Sequence, residues 1–241
     1  MAGKNMGTDI GEYAFKYRSI LFVVIFIIGW AVFPGPSVTG YLFVLYHLSI
    51  VQLKAFVIAL SLVGIAGFFI RIWGSGYIGA SIVQSSQLHG EALVTSGPYA
   101  YMRDPLYFGS LLIVIGFLPV LPPWGFVFII VAMGALIYLL IRAEERLLSS
   151  THKEEFLKYK STVHALIPTP RKISRSSAKF ELGEGLRSEV LYIFIFSPLI
   201  GGLFLPSTVF ASTFYTLLIT GIILRVALRS RANKVEPAGP V

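Results

Sequence analysis

An all-α, multi-pass membrane helical bundle is the fold class this sequence predicts, on three observations. Of its 241 residues 55% are hydrophobic and only 13% charged, where a soluble domain of this size carries roughly a quarter. Mean hydropathy is +0.76. The apolar residues gather into runs close to the roughly 17–25 residues that cross the hydrocarbon of a bilayer.

Six spans are expected: Ser19–Phe33, Gln52–Trp73, Leu106–Val120, Trp124–Ile141, Val190–Leu205 and Val209–Val226. The first lacks a small-residue cleavage site and runs into Pro34-Gly35-Pro36, so it reads as a span and not as a removable signal peptide. Tyr41–Ile50 is apolar but too short to cross, and reads as interfacial or as an extension of the second span. "GSGYIG" (Gly74–Gly79) has G-x-G-x-x-G spacing, but a span precedes it where a dinucleotide site needs a strand. A helix end, with glycines at positive φ or allowing close packing, is the reading it supports. Only Leu121-Pro122-Pro123 joins the third and fourth spans, which makes them a tight helical hairpin, with Pro119 and the Pro pair stopping the third. "IRAEERLLSSTHKEEFLKYK" reads as a helix continuing out of the fourth span. In it Tyr138, Arg142 and Glu145 share a face, and Glu154 and Glu155 are expected to pair with Lys158 in solvent. The segment to 189 is read as polar loop, and "RKISR" (Arg171–Arg175) as a cluster facing lipid headgroups.

The spans leave every Lys and Arg except Lys54, and every Asp and Glu, on one side of the membrane. The positive-inside rule puts that side, with both termini and any charged pocket, in the cytoplasm. This accounts for the net charge of +8 without nucleic acid. No expected span carries an ionisable residue near its centre, which argues against transport. The chain has no cysteine, which excludes disulfides and thiolate chemistry. Its four histidines lack ligand spacing, so no metal is expected.

The segment that a mere connector would not need is "LVTSGPYAYMRDPLYFGS" (Leu93–Ser110). Asp104 followed by Pro105 has the form of an N-cap and first helical residue for the third span. An interfacial aromatic belt could explain Tyr99, Tyr101 and Tyr107. Neither explains Arg103, whose charge is costly beside a membrane unless paired or used. Glu144 and Glu145, at the very end of a span, are better placed for a cavity than for solvent.

Taken in order, this stretch, the hairpin, "AEERLL" and "EEFLKYKSTVHALIP" resemble the isoprenylcysteine carboxyl methyltransferase family and its phospholipid methyltransferase relatives. The likeness covers about 81–170 and is greatest to the bacterial branch. It divides the chain into N-terminal spans (1–80), a methyltransferase-like core (81–170), and a linker with C-terminal spans (171–241). The resemblance implies S-adenosylmethionine as methyl donor, held in a cytoplasmic pocket, and a lipophilic or lipid acceptor. It implies a multi-pass protein of a bacterial inner membrane. It places Leu93, Val94, Gly97, Tyr99, Pro105, Glu144 and Glu145 at the cofactor, and Arg103, Asp104 and Tyr107 at the chemistry. Two positions depart from the family pattern: Asp104 stands where the family has His, and Glu91 stands where it often has another, with His89 two residues away. Two alternatives stay open: an NADPH-dependent sterol-type reductase, and a non-enzymatic membrane binding protein.

Overall fold

The computed structural model describes residues 6–85, 93–170 and 178–190, with positions 192, 216, 219–221, 223 and 224 beyond them. The elements are α1 (Met6–Ala31), α2 (Val38–Tyr46), α3 (Ile50–Ile78), α4 (Ala80–Gln84), α5 (Pro105–Gly116), α6 (Pro123–Thr162) and α7 (Leu182–Ser188), with single 3₁₀ turns at Gly97–Ala100 and Leu118–Val120. No strand occurs among the described residues. Three helices are long and apolar enough to cross a membrane: α1 from Ile10, α3 and α6. The fifth and sixth expected spans lie almost wholly outside the described residues, as do His89, Glu91 and the Arg171–Arg175 cluster.

The expected boundaries shift for local reasons. Helix α1 starts well before Ser19, because Ala14 and Phe15 are already buried against α6. Residues 41–50 divide: α2 is capped by the Ser37 side chain and ends at His47, in a left-handed conformation with φ 50°. Ser49 and Gln52 then form a capping box that opens α3. α3 runs on through Gly74 and Gly76, which serve close packing, and stops at Gly79 with φ +93°.

Helices pair by bringing small residues together, as membrane helices do in the absence of a hydrophobic drive between them. On α3 and α5, a Cβ at Gly67 would lie 2.6 Å from the Gly109 carbonyl, and one at Gly116 would lie 2.9 Å from Gly64 Cα. On α1 and α6, a Cβ at Gly125 would fall 1.9 Å from the Gly29 carbonyl. The turn between α5 and α6 is where the prolines put it, with Leu121 fully buried. The main packing partner of α5 is nevertheless α3, while α6 lies on α1. α2 covers this turn, through Val38 N–H to the Leu121 carbonyl (2.9 Å) and the Thr39 hydroxyl to the Pro119 carbonyl (2.9 Å).

α6 does continue past the apolar run, but its backbone breaks at Lys153 (φ 41°, ψ −112°). In a straight helix Glu145 and Lys160 would stand about 22 Å apart at 1.5 Å per residue. Their charged atoms are 2.7 Å apart. Residues 154–162 therefore fold back on the preceding turns, and Phe156, Tyr159 and Val163 form a small core with Leu148 and Leu93. This break also changes the expected surface pairs. Glu154, Glu155 and Lys158 are all exposed, and among the described residues the two glutamates make no ion pair with that lysine.

The segment ahead of residue 190 is not simply polar loop. α7 packs on α3, with Glu181 N–H bonded to the Gly76 carbonyl (2.9 Å) and the Glu184 carboxylate receiving Ala80 N–H (2.8 Å). Glu189 is 0% exposed and takes a two-pronged contact from Arg71 of α3, Nε–Oε2 2.7 Å and Nη2–Oε1 3.0 Å.

Candidate functional site

The 93–110 stretch folds over the end of α3 and is held from the other side by the chain that follows α6. Leu93 and Val94 are half-buried and lie outside any helix. Gly97 turns the backbone at φ +60°, where a side chain would collide with the Tyr77 ring. Pro98, Tyr99 and Ala100 are buried in the 3₁₀ turn. The backbone beyond them pairs with residues 164–169: Arg103 N–H to the His164 carbonyl (2.9 Å), Asp104 N–H to the Ala165 carbonyl (2.9 Å) and Thr169 N–H to the Tyr101 carbonyl (2.7 Å). The Tyr159 hydroxyl donates to the Tyr99 carbonyl (2.6 Å). The Tyr99 hydroxyl points into α3, toward the Gly74 carbonyl (3.4 Å). Pro105 is fully buried and packs near Gly74.

The charged residues converge at the base of this fold. Arg103 Nη1 lies 2.8 Å from Glu145 Oε1, and Lys160 Nζ lies 2.7 Å from Oε2. Arg142 stands farther off, at 3.9 Å, and its guanidinium lies 6.0 Å from the Tyr138 ring, the shared helix face that the sequence spacing predicts. The Arg103 side chain is only 10% exposed, its charge sits 6.0 Å from the Phe156 ring, and its Nε is buried without a hydrogen-bond partner. Glu144, one position earlier, faces elsewhere and accepts a short hydrogen bond from the Tyr107 hydroxyl. Tyr107 is buried among Ala14, Phe15, Leu136 and Leu140. The two adjacent glutamates therefore serve two neighbouring groups, one cationic and one phenolic.

Asp104 occupies the N-cap position, but its side chain makes no capping bond and its ψ is 60°. The expected N-cap role fails because the backbone geometry at 104 is set by the Ala165 carbonyl and not by a cap. Its carboxyl stands within electrostatic reach of Glu144, Arg103 and Glu145. Burial, then the nearby Glu144, hold its pKa well above the ordinary carboxylate range, with Arg103 opposing. Burial, with Asp104 next in weight, likewise raises the Tyr99 phenol.

Of the residues singled out from sequence, Arg103, Asp104, Tyr107, Glu144 and Glu145 come together here. Leu93 and Tyr99 border the group through Phe156 and Tyr159. Gly97 and Pro105 lie at the packing side of the stretch, against Tyr77 and Gly74. Lys160 was missed, because only the reversal at Lys153 brings it to Glu145 and no Gly or Pro marks that reversal. Tyr159 and Phe156 had a signal, as the aromatics of "EEFLKYK". Beside the Tyr107 cluster an open apolar groove runs between α1 and α6, lined by Ile10, Tyr13, Ala14, Tyr17, Leu136 and Leu139 among others.

Residues 53–155 match the family model of phospholipid methyltransferases, from the second expected span to the helix beyond the fourth. No curated protein and no solved structure matches the chain.

Proposed function

We propose that this protein, whose residues 53–155 match the phospholipid methyltransferase family model, transfers a methyl group from S-adenosylmethionine to a lipophilic acceptor. The observation that carries the reading is the single carboxylate of Glu145 set between two cations, Arg103 and Lys160, beside the uncapped Asp104. The residues fit the donor's polar end. Its ammonium would find Glu145, its carboxylate would find Lys160 or the unpartnered Nε of Arg103, and Phe156 and Tyr159 offer aromatic walls. Leu93, Val94, Gly97, Tyr99 and Pro105 would shape the pocket around these groups. When bound, S-adenosylmethionine supplies an activated methyl on a cationic sulfur.

The chain's own part is alignment and exclusion of water, worth up to roughly 7–11 kcal/mol in well-oriented reactions. Arg103, fixed by Glu145, would present its planar fork to a polar group of the acceptor, a geometry Lys cannot copy. The Tyr107–Glu144 pair, which borders an apolar cluster, would orient the acceptor's head. The groove between α1 and α6, whose Ala14 and Leu136 pack with Tyr107, suits an acyl or prenyl chain arriving from the bilayer. No thiol or metal is needed for an in-line displacement of this kind. The charge asymmetry favours a cytoplasmic site and termini, and the resemblance favours a bacterial inner membrane.

An NADPH reductase is less well supported, because both basic groups at the site face Glu145, which would repel a 2′-phosphate. The deciding experiment is calorimetric titration of the protein in detergent with S-adenosylhomocysteine and, separately, with NADPH. Binding of the first alone is expected. Binding of NADPH overturns the reading, and binding of neither leaves a non-enzymatic binding protein as the better description.

A further inference from the structure

The segment after α6 touches the 93–110 stretch by two routes that pass through α3. In the first, Glu189 accepts from Arg71 at 2.7 and 3.0 Å and from the Ser75 hydroxyl at 2.8 Å. Arg71 is 8% exposed and spends its remaining nitrogen on α5, donating to the Leu106 carbonyl (2.9 Å) and the Ser110 hydroxyl (2.7 Å). The Tyr192 ring lies 4.5 Å from the same guanidinium. In the second, the Phe180 ring stands 5.6 Å from the Tyr77 ring. Tyr77 fills the space beside Gly97, where a Cβ would approach its ring to 2.2 Å. Between the routes, α7 is seated on α3 so closely that a Cβ at Gly185 would lie 2.6 Å from the Ile72 carbonyl.

The two routes end on opposite sides of Arg103-Asp104, one at the turn before it and one at the first turn of the helix after it. A buried guanidinium cannot be left without its counter-charge. Its rigid fork also fixes direction at every contact. With Glu189 on one edge of Arg71 and Leu106 on the other, the start of α5 is tied to the strand of chain that carries Glu189. Helix α7, with seven residues, is too short to stand alone, so it is held in place by the surface it grips.

We infer that residues 180–190, which lie beyond the family-matched residues, are a clamp that fixes the 97–110 stretch, with Glu189 and Phe180 as its positioning residues. The functional weight of this clamp rests on the reading that the stretch forms the methyl-transfer site. The clamp itself is a statement about position.

The test is hydrogen–deuterium exchange of the full chain in detergent, read at the amides of Tyr99 and Tyr101–Asp104, beside S-adenosylhomocysteine affinity. Phe180→Ala and Glu189→Gln should each speed exchange of those amides by about tenfold, as a local opening does, while amides of α1 and α6 keep the parent rate. Phe180→Tyr, which keeps the ring, and Lys179→Ala, at an exposed neighbour, should behave as the parent. Affinity should fall in the same two variants that open. Unchanged exchange in both, or equal acceleration throughout α1 and α6, overturns the clamp. Should Glu189→Gln fail to fold, Arg71→Met/Glu189→Met replaces it, because it removes the route without leaving a bare charge. A parent that binds no S-adenosylhomocysteine would sink the methyltransferase reading, and the exchange pattern would still decide the clamp.

Discussion

Lys160 Nζ sits 2.7 Å from Glu145 Oε2, although fifteen residues of one helical run separate them. This pair reports the reversal at Lys153, and the reversal builds the site. It carries Phe156, Tyr159 and Lys160 back to Arg103, and sends residues 164–169 across the backbone of 101–104.

Glu145→Ala should weaken S-adenosylhomocysteine binding at least tenfold, about 1.4 kcal/mol. It removes a group suited to an ammonium and leaves Arg103 and Lys160 facing each other. Glu154→Ala, at an exposed position, should do little. Calorimetry on both variants and the parent checks this, with Glu144→Ala added to tell the two glutamates apart. Equal small losses from Glu145→Ala and Glu154→Ala would return Glu145 to a structural role.

Lys153 holds a left-handed φ of 41° with a ψ of −112°, a conformation that costs a non-glycine residue on the order of 1–3 kcal/mol. Lys153→Gly should raise the melting temperature, by less than that full cost because glycine loses more freedom on folding. Lys153→Ile should lower it. Thermal unfolding in one detergent reads both, and equal melting temperatures for the three would show that the reversal is unstrained.

Asp104 gives a pH signature. Its folded pKa is raised by burial and by Glu144. Stability from its protonated form is therefore complete below the ordinary carboxyl pKa of about 4, and is lost as pH rises through the higher folded value. Asp104→Asn, which cannot ionise, should melt above the parent at neutral pH, and the gap should close as pH falls toward about 4. A gap that widens on acidification would mean the carboxylate is stabilised and not strained. Arg103→Lys, measured beside it, should fold and bind donor but lose most turnover.

The helix contacts make a sharper stability test. Gly125→Val should cost about 1–3 kcal/mol or more by overpacking, since its Cβ would fall 1.9 Å from the Gly29 carbonyl. Gly134→Ala, where no atom lies within 4 Å, is the control and should be neutral or slightly stabilising. Melting curves of the two decide it.

Much of this was legible because membrane spans are written in composition and turns in proline. The α5–α6 turn and the long extension of α6 follow from such signals, whereas the gathering of Arg103, Tyr107 and the two glutamates was what the family resemblance implied. The partner of α5 was not legible, because a hairpin in sequence says nothing about which small-residue faces meet in space. Lys160 and the Arg71–Glu189 pair were hidden for a related reason. Each depends on a contact between distant parts of the chain, and Glu189 reads as loop until α7 is seen to seat it. Asp104-Pro105 misled in the other direction: it has the residues of a cap, but the Ala165 carbonyl sets the backbone first.

α2 closes over Pro119 and Leu121 at the end of the bundle away from Arg103. Among the described residues the bundle is therefore polar at the Arg103 end and covered by α2 at the other. Under the proposed methyl transfer, an acceptor anchored in the bilayer would have leaflet residence as a condition of reaction. On the proposed function, a head group in the sheet of lipid on the closed side would meet, among the described residues, α2 and apolar turns, and would have to cross before it could be modified. In vesicles whose two leaflets differ in composition, such a protein would report on one face of the membrane and leave the other unread.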